Sequence, residues 1–571
     1  MELLLIVVVA VVAIAVVTAL AQRLRVAGPL LLVAVGLGVA LLPFVDPVEL
    51  DPEWILIGVL PPLLYSAAVR LPAIEFRRDF RPIAGLSVGL VVVSALALGL
   101  FFFLAVPEVG FPLGVALGAI LSPTDAVATS IAKRLGLSAR VVTLLEGESL
   151  LNDATALVLL RTAIVAIAGS FSLWSAVGSF ALAVVVAVAV GAIVGYATLR
   201  LRAALGNSAA SAAISFTVPF LAYVPAEHLG GSGLVAAVVA GIVTGQGSTR
   251  WFTAEERLSD HVNWRTVELV LEGGVFLVMG LELTSIVDEI QQQHESLWHG
   301  TWLALAALGI VIVIRAGWVS LLVLTQGRRA RRLSSQHRER LEQIGARLDK
   351  AAAGPTDTSP VLLPDDRRRR VETMRSRVTR MLADIDYYGA SPLGWKHGTI
   401  IVWAGMRGVV TLAAAQTLPR DTDGRPLLVW VAFMVALLSL MLQGFTLPWL
   451  VRRLGLAGSD DDEESLDERT RLDDELRLAA ASALLSPGLV SRDGEPFDDE
   501  LTARMGTRLS KRPDDDDAER DALELRLCAI AAMRTRLREL SSDGTYSTGA
   551  LRRALAELDA DQLSVELRLD G

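Results

Sequence analysis

Apolar runs long enough to cross a membrane follow one another along most of this 571-residue chain. A run of about 18 or more apolar residues with few charges predicts a membrane-spanning helix. Thirteen such runs precede residue 452, and the chain beyond that point is strongly polar. We therefore predict an all-α polytopic membrane protein with helices at 2–21, 28–45, 53–69, 82–105, 111–132, 141–167, 173–199, 208–224, 232–247, 262–286, 301–324, 397–418 and 427–451.

Positive charges between these predicted helices alternate from one connection to the next. Membrane proteins retain Lys and Arg on the cytoplasmic side. The first, third, fifth, seventh and ninth connections hold fourteen of these residues, whereas the even-numbered connections hold only Arg420 and Arg425. The eleventh connection, 325–396, is long and very basic. We therefore expect a multi-pass protein of the plasma membrane with its N-terminus outside and its C-terminal tail in the cytoplasm.

The distribution of charge also predicts the division into domains. A transmembrane domain spans 1–452 and carries a basic cytoplasmic loop at 325–396, and an acidic cytoplasmic domain follows at 453–571. Helical spacing at 521–540 and 548–569 predicts a small helical unit within this tail. The single cysteine, Cys528, excludes a disulfide framework. Nothing in the charge pattern indicates nucleic-acid binding, and the arginines fit membrane topology and contact with anionic lipid.

Several ionisable residues lie inside predicted helices, where a charge costs about 2.5–3.5 kcal/mol and faces the protein interior or water. Asp153 lies roughly 18 Å into the sixth helix, and Asp125 roughly 10 Å from the inner end of the fifth. Ser149 precedes Asp153 by one helical turn and shares its face. These side chains are expected to share one deep layer. The remaining ionisable candidates are Glu146, Glu148, Arg161, Glu268, Glu272, Arg315 and Arg407.

Two of the predicted helices contain a break. Pro123 interrupts the fifth helix beside Thr124 and Asp125, because proline lacks a backbone donor. Gly405 and Gly408 bracket Arg407 in the twelfth. Helices one to six and eight to thirteen have opposite orientations, and each set carries its break in its fifth helix. Matched broken helices in inverted repeats are typical of secondary transporters. The buried partner expected for Arg407 is Glu148.

The predicted site consists of oxygen donors. Asp153, Asp125, Ser149 and Thr124 together with backbone carbonyls favour a hard cation over zinc or copper. A buried carboxylate also takes up protons. A proton and a cation therefore compete for Asp153. Competition at one alternately exposed site produces exchange without a second binding site.

Three motifs on these helices resemble a known family. The stretches PTDAVA from residue 123, ESLLNDATALV from 148 and GMRGVVTLAAA from 405 are similar to those of the monovalent cation/proton antiporters. The match is to the NhaP-like branch, which includes the animal sodium/proton exchangers, and it covers 1–452. The resemblance implies an NhaA-type fold of thirteen helices with six-helix inverted repeats and two broken crossing helices. It also implies a homodimer in which a mobile core moves, like an elevator, against a dimerisation domain.

Residue by residue, the resemblance implies a sodium/proton antiporter rather than an enzyme. Asp153 is then the carboxylate that binds the ion and the proton, aided by Asp125, Ser149 and the backbone oxygen of Thr124. Asn152 stands where the electrogenic branch has a second aspartate, which implies electroneutral exchange. Glu148 and Arg407 form the supporting buried ion pair near Asn152. No cofactor is expected beyond the transported Na⁺ and H⁺.

Three alternatives remain open at this point. The same mechanism could select potassium or lithium, since oxygen donors alone do not distinguish these ions. An ion channel with a regulatory tail is a second alternative, although a single deep carboxylate cluster in an inverted repeat argues against a continuous pore. The third is a sensor whose site only detects ions.

Overall fold

The computed structural model describes residues 2–24, 27–42, 53–125, 127–168, 173–292, 296–333, 392–419, 424–457 and 548–569, with isolated positions at 343–388, 422 and 481–533. The chain divides into two compact units, Met1–Ser459 and Asp460–Gly571. The described residues are 88% helical and include no strand. The prediction of an all-α protein is therefore confirmed.

The first unit is a bundle of helices. In chain order its described helices are α1 (Glu2–Leu24), α2 (Gly28–Ala40), α3 (Trp54–Arg70), α4 (Ala73–Arg78), α5 (Phe80–Ala105), α6 (Phe111–Leu121), α7 (Val127–Arg134), α8 (Ala139–Ala168), α9 (Leu173–Leu205), α10 (Ser208–His228), α11 (Gly233–Trp251), α12 (Ala254–Leu281), α13 (Leu283–Gln292), α14 (Leu297–Leu333), α15 (Trp395–Trp403), α16 (Val409–Gln416) and α17 (Arg425–Leu454).

Each of the thirteen predicted segments coincides with one of these helices or with two helices separated by a break. Eight helices of the described chain are long and apolar enough to cross a membrane, and four shorter apolar helices accompany them. Helix α1 shows how these surfaces differ from those of a water-soluble bundle, because large apolar side chains such as Leu4 and Ile6 are more than half exposed. The chain is therefore a multi-pass membrane protein.

Small residues set the distance between the helices that carry the predicted site. Gly114 and Gly118 of α6 lie against the backbone of Gly99 and Ala95 of α5, so closely that a Cβ atom at either glycine would overlap a carbonyl oxygen. Membrane helices associate through such small residues because lipid supplies no hydrophobic force between them. Helix α6 is held firmly, and the break at its C-terminal end is thereby positioned.

Both predicted breaks are present. Helix α6 ends at Leu121 and α7 begins at Val127, and α15 ends at Trp403 and α16 begins at Val409. The two non-helical segments meet, since the backbone N–H of Asp125 donates to the carbonyl of Met406 at 2.7 Å. Each break thus satisfies part of the other's backbone, as an interrupted helix inside a membrane requires.

Two predicted cytoplasmic segments are only partly described. Helix α14 continues to Leu333, beyond the predicted end of the eleventh helix, and most of the loop 325–396 lies outside the described residues. In the second unit, the helix predicted at 548–569 is confirmed as α18 (Thr548–Leu569). Most of the helix predicted at 521–540, and the acidic run that begins the tail, lie outside the described residues.

Candidate functional site

Helix α8 presents Asp153 to a cavity at the point where the two breaks meet. The cavity has a volume of about 380 Å³, and its walls include Asp153, Asp125, Thr124 and Ser149. Asp153 is 7% exposed. The four predicted ion-binding residues are therefore brought together at one place.

Thr124 joins the broken helix to α8. The hydroxyl of Ser149 donates to the backbone carbonyl of Thr124 at 3.0 Å, and the amide of Asn152 donates to the Thr124 hydroxyl at 2.7 Å. A carbonyl oxygen has a second lone pair, so the Thr124 oxygen retains capacity for a further partner. The extended backbone beside Pro123 therefore lies beside α8, and its oxygen-rich face borders the cavity.

Asp125 lies at the start of α7. One of its carboxylate oxygens accepts from the backbone N–H of Val127 at 3.4 Å. The N-terminus of a helix carries unpaired N–H groups and a partial positive charge, which stabilise an adjacent carboxylate. The first turn of α7 thus favours a negatively charged side chain at position 125.

The oxygens at this site suit a hard cation. Two carboxylates, a hydroxyl and a backbone carbonyl are ligands of the kind that alkali and alkaline-earth ions take, and thiolate or imidazole ligands are absent from the described walls apart from His261. Thr411 adds one more oxygen. Its buried hydroxyl lines the same cavity and has no hydrogen-bond partner among the described residues.

Gly408 packs directly against the Asp125 carboxylate. A Cβ atom at position 408 would overlap the carboxylate oxygen and carbon. We expect Gly408→Ala to displace Asp125 and to reduce ion exchange in reconstituted vesicles by on the order of 100-fold, the loss typical of a positioned group moved by about 1 Å. Transport rate at saturating cation is the measurement.

Gly274→Ala is the matched control for this substitution. Gly274 lies in α12, and an added Cβ would meet nothing within 4 Å. Alanine favours a helix interior over glycine by about 1 kcal/mol, so this variant should transport normally and be slightly more stable. Equal activity of the two alanine variants would contradict the packing argument.

The carboxylate of Glu148 pairs with Arg315, not with Arg407. Arg315 reaches across from α14 and donates from both terminal nitrogens to the two Glu148 oxygens, one at 2.8 Å, and from Nε to the Ile401 carbonyl at 3.0 Å. The predicted pairing with Arg407 is therefore wrong. The physical reason is reach, since both Arg315 and Glu148 project into the same buried space between α8 and α14.

Arg407 instead fastens the two breaks to each other. Its Nε donates to the carbonyl of Leu121 at 3.1 Å, and it also donates to the Gly405 carbonyl. Its own backbone N–H donates to the Ser439 hydroxyl of α17 at 2.8 Å. The side chain satisfies the carbonyls that the breaks leave without helical partners, a role that the Gly-Met-Arg-Gly pattern alone did not reveal.

Exposed and apolar side chains of α8 both lie near the cavity. Lys133 and Glu146 line its outer part and form an ion pair in which the lysine side chain is 57% exposed. Leu150 and Ala154, on either side of Asp153 in the sequence, pack in an apolar cluster with α3, α10 and α11. Beyond that cluster Arg161 pairs with Glu227 at 2.7 Å. Glu268 and Glu272, the other predicted ionisable candidates, also line the cavity.

Comparison with known proteins assigns the chain to one family. The model of the family described as "Sodium/hydrogen exchanger, transmembrane" matches residues 7–341 and 376–453. An uncharacterised Na⁺/H⁺ exchanger of Mycobacterium tuberculosis is 28% identical over 98% of this chain and 96% of its own length. The Na⁺/H⁺ antiporter ApNhaP of Aphanothece halophytica is 26% identical over 77% of this chain and 72% of its own length.

A Bacillus pumilus protein named as a sodium, potassium, lithium and rubidium/H⁺ antiporter is 31% identical over 47% of this chain and 41% of its own length. Among solved structures, the sodium proton antiporter MjNhaP1 of Methanocaldococcus jannaschii at pH 8 superimposes with a TM-score of 0.54. The match covers 80% of this chain and 99% of the MjNhaP1 chain at 17% identity, and it shows a similarity of fold.

Proposed function

Because the chain belongs to the sodium/hydrogen exchanger family, we propose that it exchanges Na⁺ for H⁺ across the cell membrane at Asp153. One observation supports this site above the others. Asp153 shares a cavity with Asp125, Thr124 and Ser149 at the crossing of two broken helices. A deep carboxylate beside a helix break is the arrangement in which transporters bind their coupling ions.

The exchange follows from competition for one carboxylate. Deprotonated Asp153 holds the cation together with the oxygens of Asp125, Ser149 and Thr124. When a proton binds, the carboxyl loses its charge and the cation leaves. Asn152 contributes an amide to Thr124 and no charge. One proton therefore replaces one cation and the cycle is electroneutral, with no cofactor beyond the two transported ions.

Alternating access is proposed to come from movement of a core against a scaffold. The proposed core consists of the broken helices with α5, α8 and α14. Arg315 joins α14 to Glu148 of α8, and Arg407 joins the second break to Leu121 at the first. Ser149 of α8 bonds to Thr124 in the first break, and α6 packs closely on α5. The walls of the described cavity include the partly exposed ion pair of Lys133 in α7 and Glu146 in α8. An elevator-like displacement of the core would carry Asp153, together with the rest of α8, to the other side of the membrane.

The proposed topology has thirteen spans. Eight of these spans are the long apolar helices, and four are the shorter apolar helices. One of the four is α6, which is counted as a single span with α7. The broken pair α15–α16 is the thirteenth. From the charge asymmetry of the connections we infer an N-terminus outside and a tail in the cytoplasm. A homodimer, and a role in pH homeostasis, follow from the family resemblance and belong to the same proposal.

Everted vesicles with an acidic interior test this function. We expect added NaCl to release protons from the lumen, reported as recovery of a quenched pH dye, because cation uptake drives proton exit at the shared site. KCl and LiCl at equal concentration measure selectivity, which matters because one relative is named for sodium, potassium, lithium and rubidium. A response to KCl but not NaCl would make this chain a potassium/proton antiporter.

The same vesicles separate an antiporter from a channel or a sensor. An electroneutral exchanger should respond equally with and without an imposed membrane potential, since no net charge crosses. Voltage-driven sodium flux without proton movement would instead identify a channel. Sodium binding without any flux in vesicles would identify a sensor.

A further inference from the structure

The walls of the cavity at Asp153 carry more acid groups than the proposed exchange requires. Among the described wall residues, two Lys or Arg side chains accompany five carboxylates, those of Asp125, Glu146, Asp153, Glu268 and Glu272. Glu146 pairs with Lys133. Glu268 pairs with Arg70 at 2.5 Å. Two more of the five form the proposed ion site, so Glu272 is the carboxylate of these walls that has no assigned role.

Glu272 faces this cavity without a partner among the described residues. It lies one helical turn after Glu268 on α12, so both carboxylates lie on the same side of that helix. No hydrogen bond or ion pair joins its partly buried side chain to a residue that the structure describes. Asp125 is close enough for the two carboxylates to interact electrostatically. Like charges that share a cavity repel each other, and a cation between them offsets that repulsion.

A buried hydroxyl on another wall also lacks a partner. Thr411 of α16 is 1% exposed and lines the same cavity, and its hydroxyl makes no hydrogen bond among the described residues. Buried polar groups are almost always hydrogen-bonded, either to protein or to ordered water. At about 380 Å³ the cavity has room for a cation with part of its water shell. The hydroxyl and the carboxylate of Glu272 both indicate that water or an ion fills this space.

Helix α12 is fastened to helices that lie outside the proposed core. Gly280 of α12 lies so close to α2 that a Cβ atom there would overlap the carbonyl oxygen of Val33. Gly273, the residue after Glu272, packs closely against the Ile14 side chain of α1. Small residues of this kind let membrane helices approach closely and associate. Glu272 therefore belongs to the scaffold, whereas the first break, α7, α8 and α16 line the cavity from the core.

Two side chains of the cavity walls relate it to one face of the membrane. Arg70 and Lys133 lie in connections predicted to be cytoplasmic, and their side chains are 34% and 57% exposed. A cleft whose walls carry an excess of one charge concentrates ions of the opposite charge. A cation that arrives from the predicted cytoplasmic face thus meets walls in which acid groups outnumber basic ones.

We propose that Glu272 is a docking carboxylate, which receives the cation from the cytoplasm before Asp153 binds it. Because Glu272 is fixed to the scaffold and Asp153 moves with the core, Glu272 contributes to binding only while the core has the position seen here. On the other face of the membrane the cation meets Asp153 without Glu272. The apparent affinity for the cation is therefore higher on the cytoplasmic face. This proposal rests on the antiport function and the core movement proposed above.

Vesicles of opposite orientation test the role of Glu272. Everted vesicles expose the predicted cytoplasmic face and right-side-out vesicles the other, and NaCl is titrated against an acid-inside pH gradient at an external pH of about 8.5, where carboxylates are ionised. Glu272→Gln should raise the KM for sodium on the cytoplasmic face about tenfold, the lower end of the enrichment that charged clefts produce. The KM on the other face and the rate at saturating sodium should change by less than about twofold, because only binding in one position is lost.

Glu268→Gln is the matched control. It removes the same charge from the same helix, one turn away, but the Glu268 carboxylate is already balanced by Arg70. This variant should raise the cytoplasmic KM by no more than about twofold, since a partly exposed ion pair contributes little. Equal increases in the two glutamine variants would show that only the summed charge of the walls matters, and would overturn the assignment to Glu272.

A second neutral variant and the wild type complete the test. Glu272→Met has a side chain of similar length and should give the same one-sided increase in KM, with size-exclusion chromatography confirming the fold of each variant. An unchanged KM on both faces would remove Glu272 from the path of the cation, and an equal increase on both faces would contradict its place on the scaffold. Wild-type vesicles in which NaCl, KCl and LiCl all fail to move protons would instead reject the antiport function itself.

Discussion

Asp153→Asn is expected to reduce sodium-driven proton movement in vesicles to background. Asparagine is nearly the same size as aspartate, so the buried position in α8 should tolerate it. An amide cannot ionise, however, and therefore can neither balance a bound cation nor take up the proton that replaces it. The measurement is dye recovery after addition of NaCl, at matched protein content and with size-exclusion chromatography as the test of folding.

Glu146→Gln is the matched control for this substitution. Glu146 is also a carboxylate on α8 and lines the same cavity, but it lies at the exposed end and pairs with Lys133. We expect it to retain most of the exchange, because its loss disturbs only a solvent-accessible ion pair, worth about 0–1 kcal/mol. A sodium-dependent pH response that survives in Asp153→Asn would remove Asp153 from the site.

The competition at Asp153 also has a signature in the wild-type protein. If proton and cation exclude each other, the apparent affinity for sodium falls as the pH falls, by up to about tenfold per unit of pH by mass action. The KM for sodium measured at several values between about pH 6 and 9 reports this directly. A KM independent of pH would require separate sites for the two ions.

Glu148→Gln is expected to destabilise the folded protein by about 3–5 kcal/mol, the cost of leaving one member of a buried ion pair without its partner. The partner is Arg315, whose guanidinium is 2% exposed and donates to both Glu148 oxygens. Removing the carboxylate charge leaves a buried cation between α8 and α14. Thermal unfolding in detergent, followed by tryptophan fluorescence, measures the loss.

A double-mutant cycle identifies the partner. Glu148→Gln combined with Arg315→Met should cost less than the sum of the two single changes, with a coupling energy of about 1–3 kcal/mol. Arg407→Met will also destabilise, since it frees the carbonyls of Leu121 and Gly405. Its coupling to Glu148 should be the smaller of the two. A larger coupling for Arg407 than for Arg315 would restore the pairing expected from the motifs.

The sequence predicted the position of the helix breaks well, because their causes are local. Pro123 has no backbone N–H to donate within a helix, and glycine at positions 405 and 408 disfavours a helix interior. Both effects are independent of where the rest of the chain lies. It also predicted that Asp153, Asp125, Thr124 and Ser149 would lie near one another. That inference needed only the depth of each residue in its helix and the orientation of neighbouring helices.

Three arginines show where such reasoning stops. Arg161, Arg315 and Arg407 all lie within predicted helices, and a buried carboxylate partner, Glu148, was predicted for Arg407 alone. In the structure Arg161 pairs with Glu227 and Arg315 with Glu148, and Arg407 binds backbone carbonyls. Arginine side chains are long, and the choice of partner depends on how each helix is rotated about its axis. Hydropathy gives depth in the membrane but not that rotation.

By itself the sequence determined the all-helical membrane architecture, the two breaks and the placement of oxygen donors at one depth, because apolar runs, proline and glycine act over a single turn or a single span. Only the tertiary structure decided that the breaks meet through the Asp125 N–H and the Met406 carbonyl, and that Arg315 balances Glu148. It also decided that Glu272 of α12 lines the same cavity as Asp153. These contacts join residues far apart in the chain, so their geometry depends on how the helices pack.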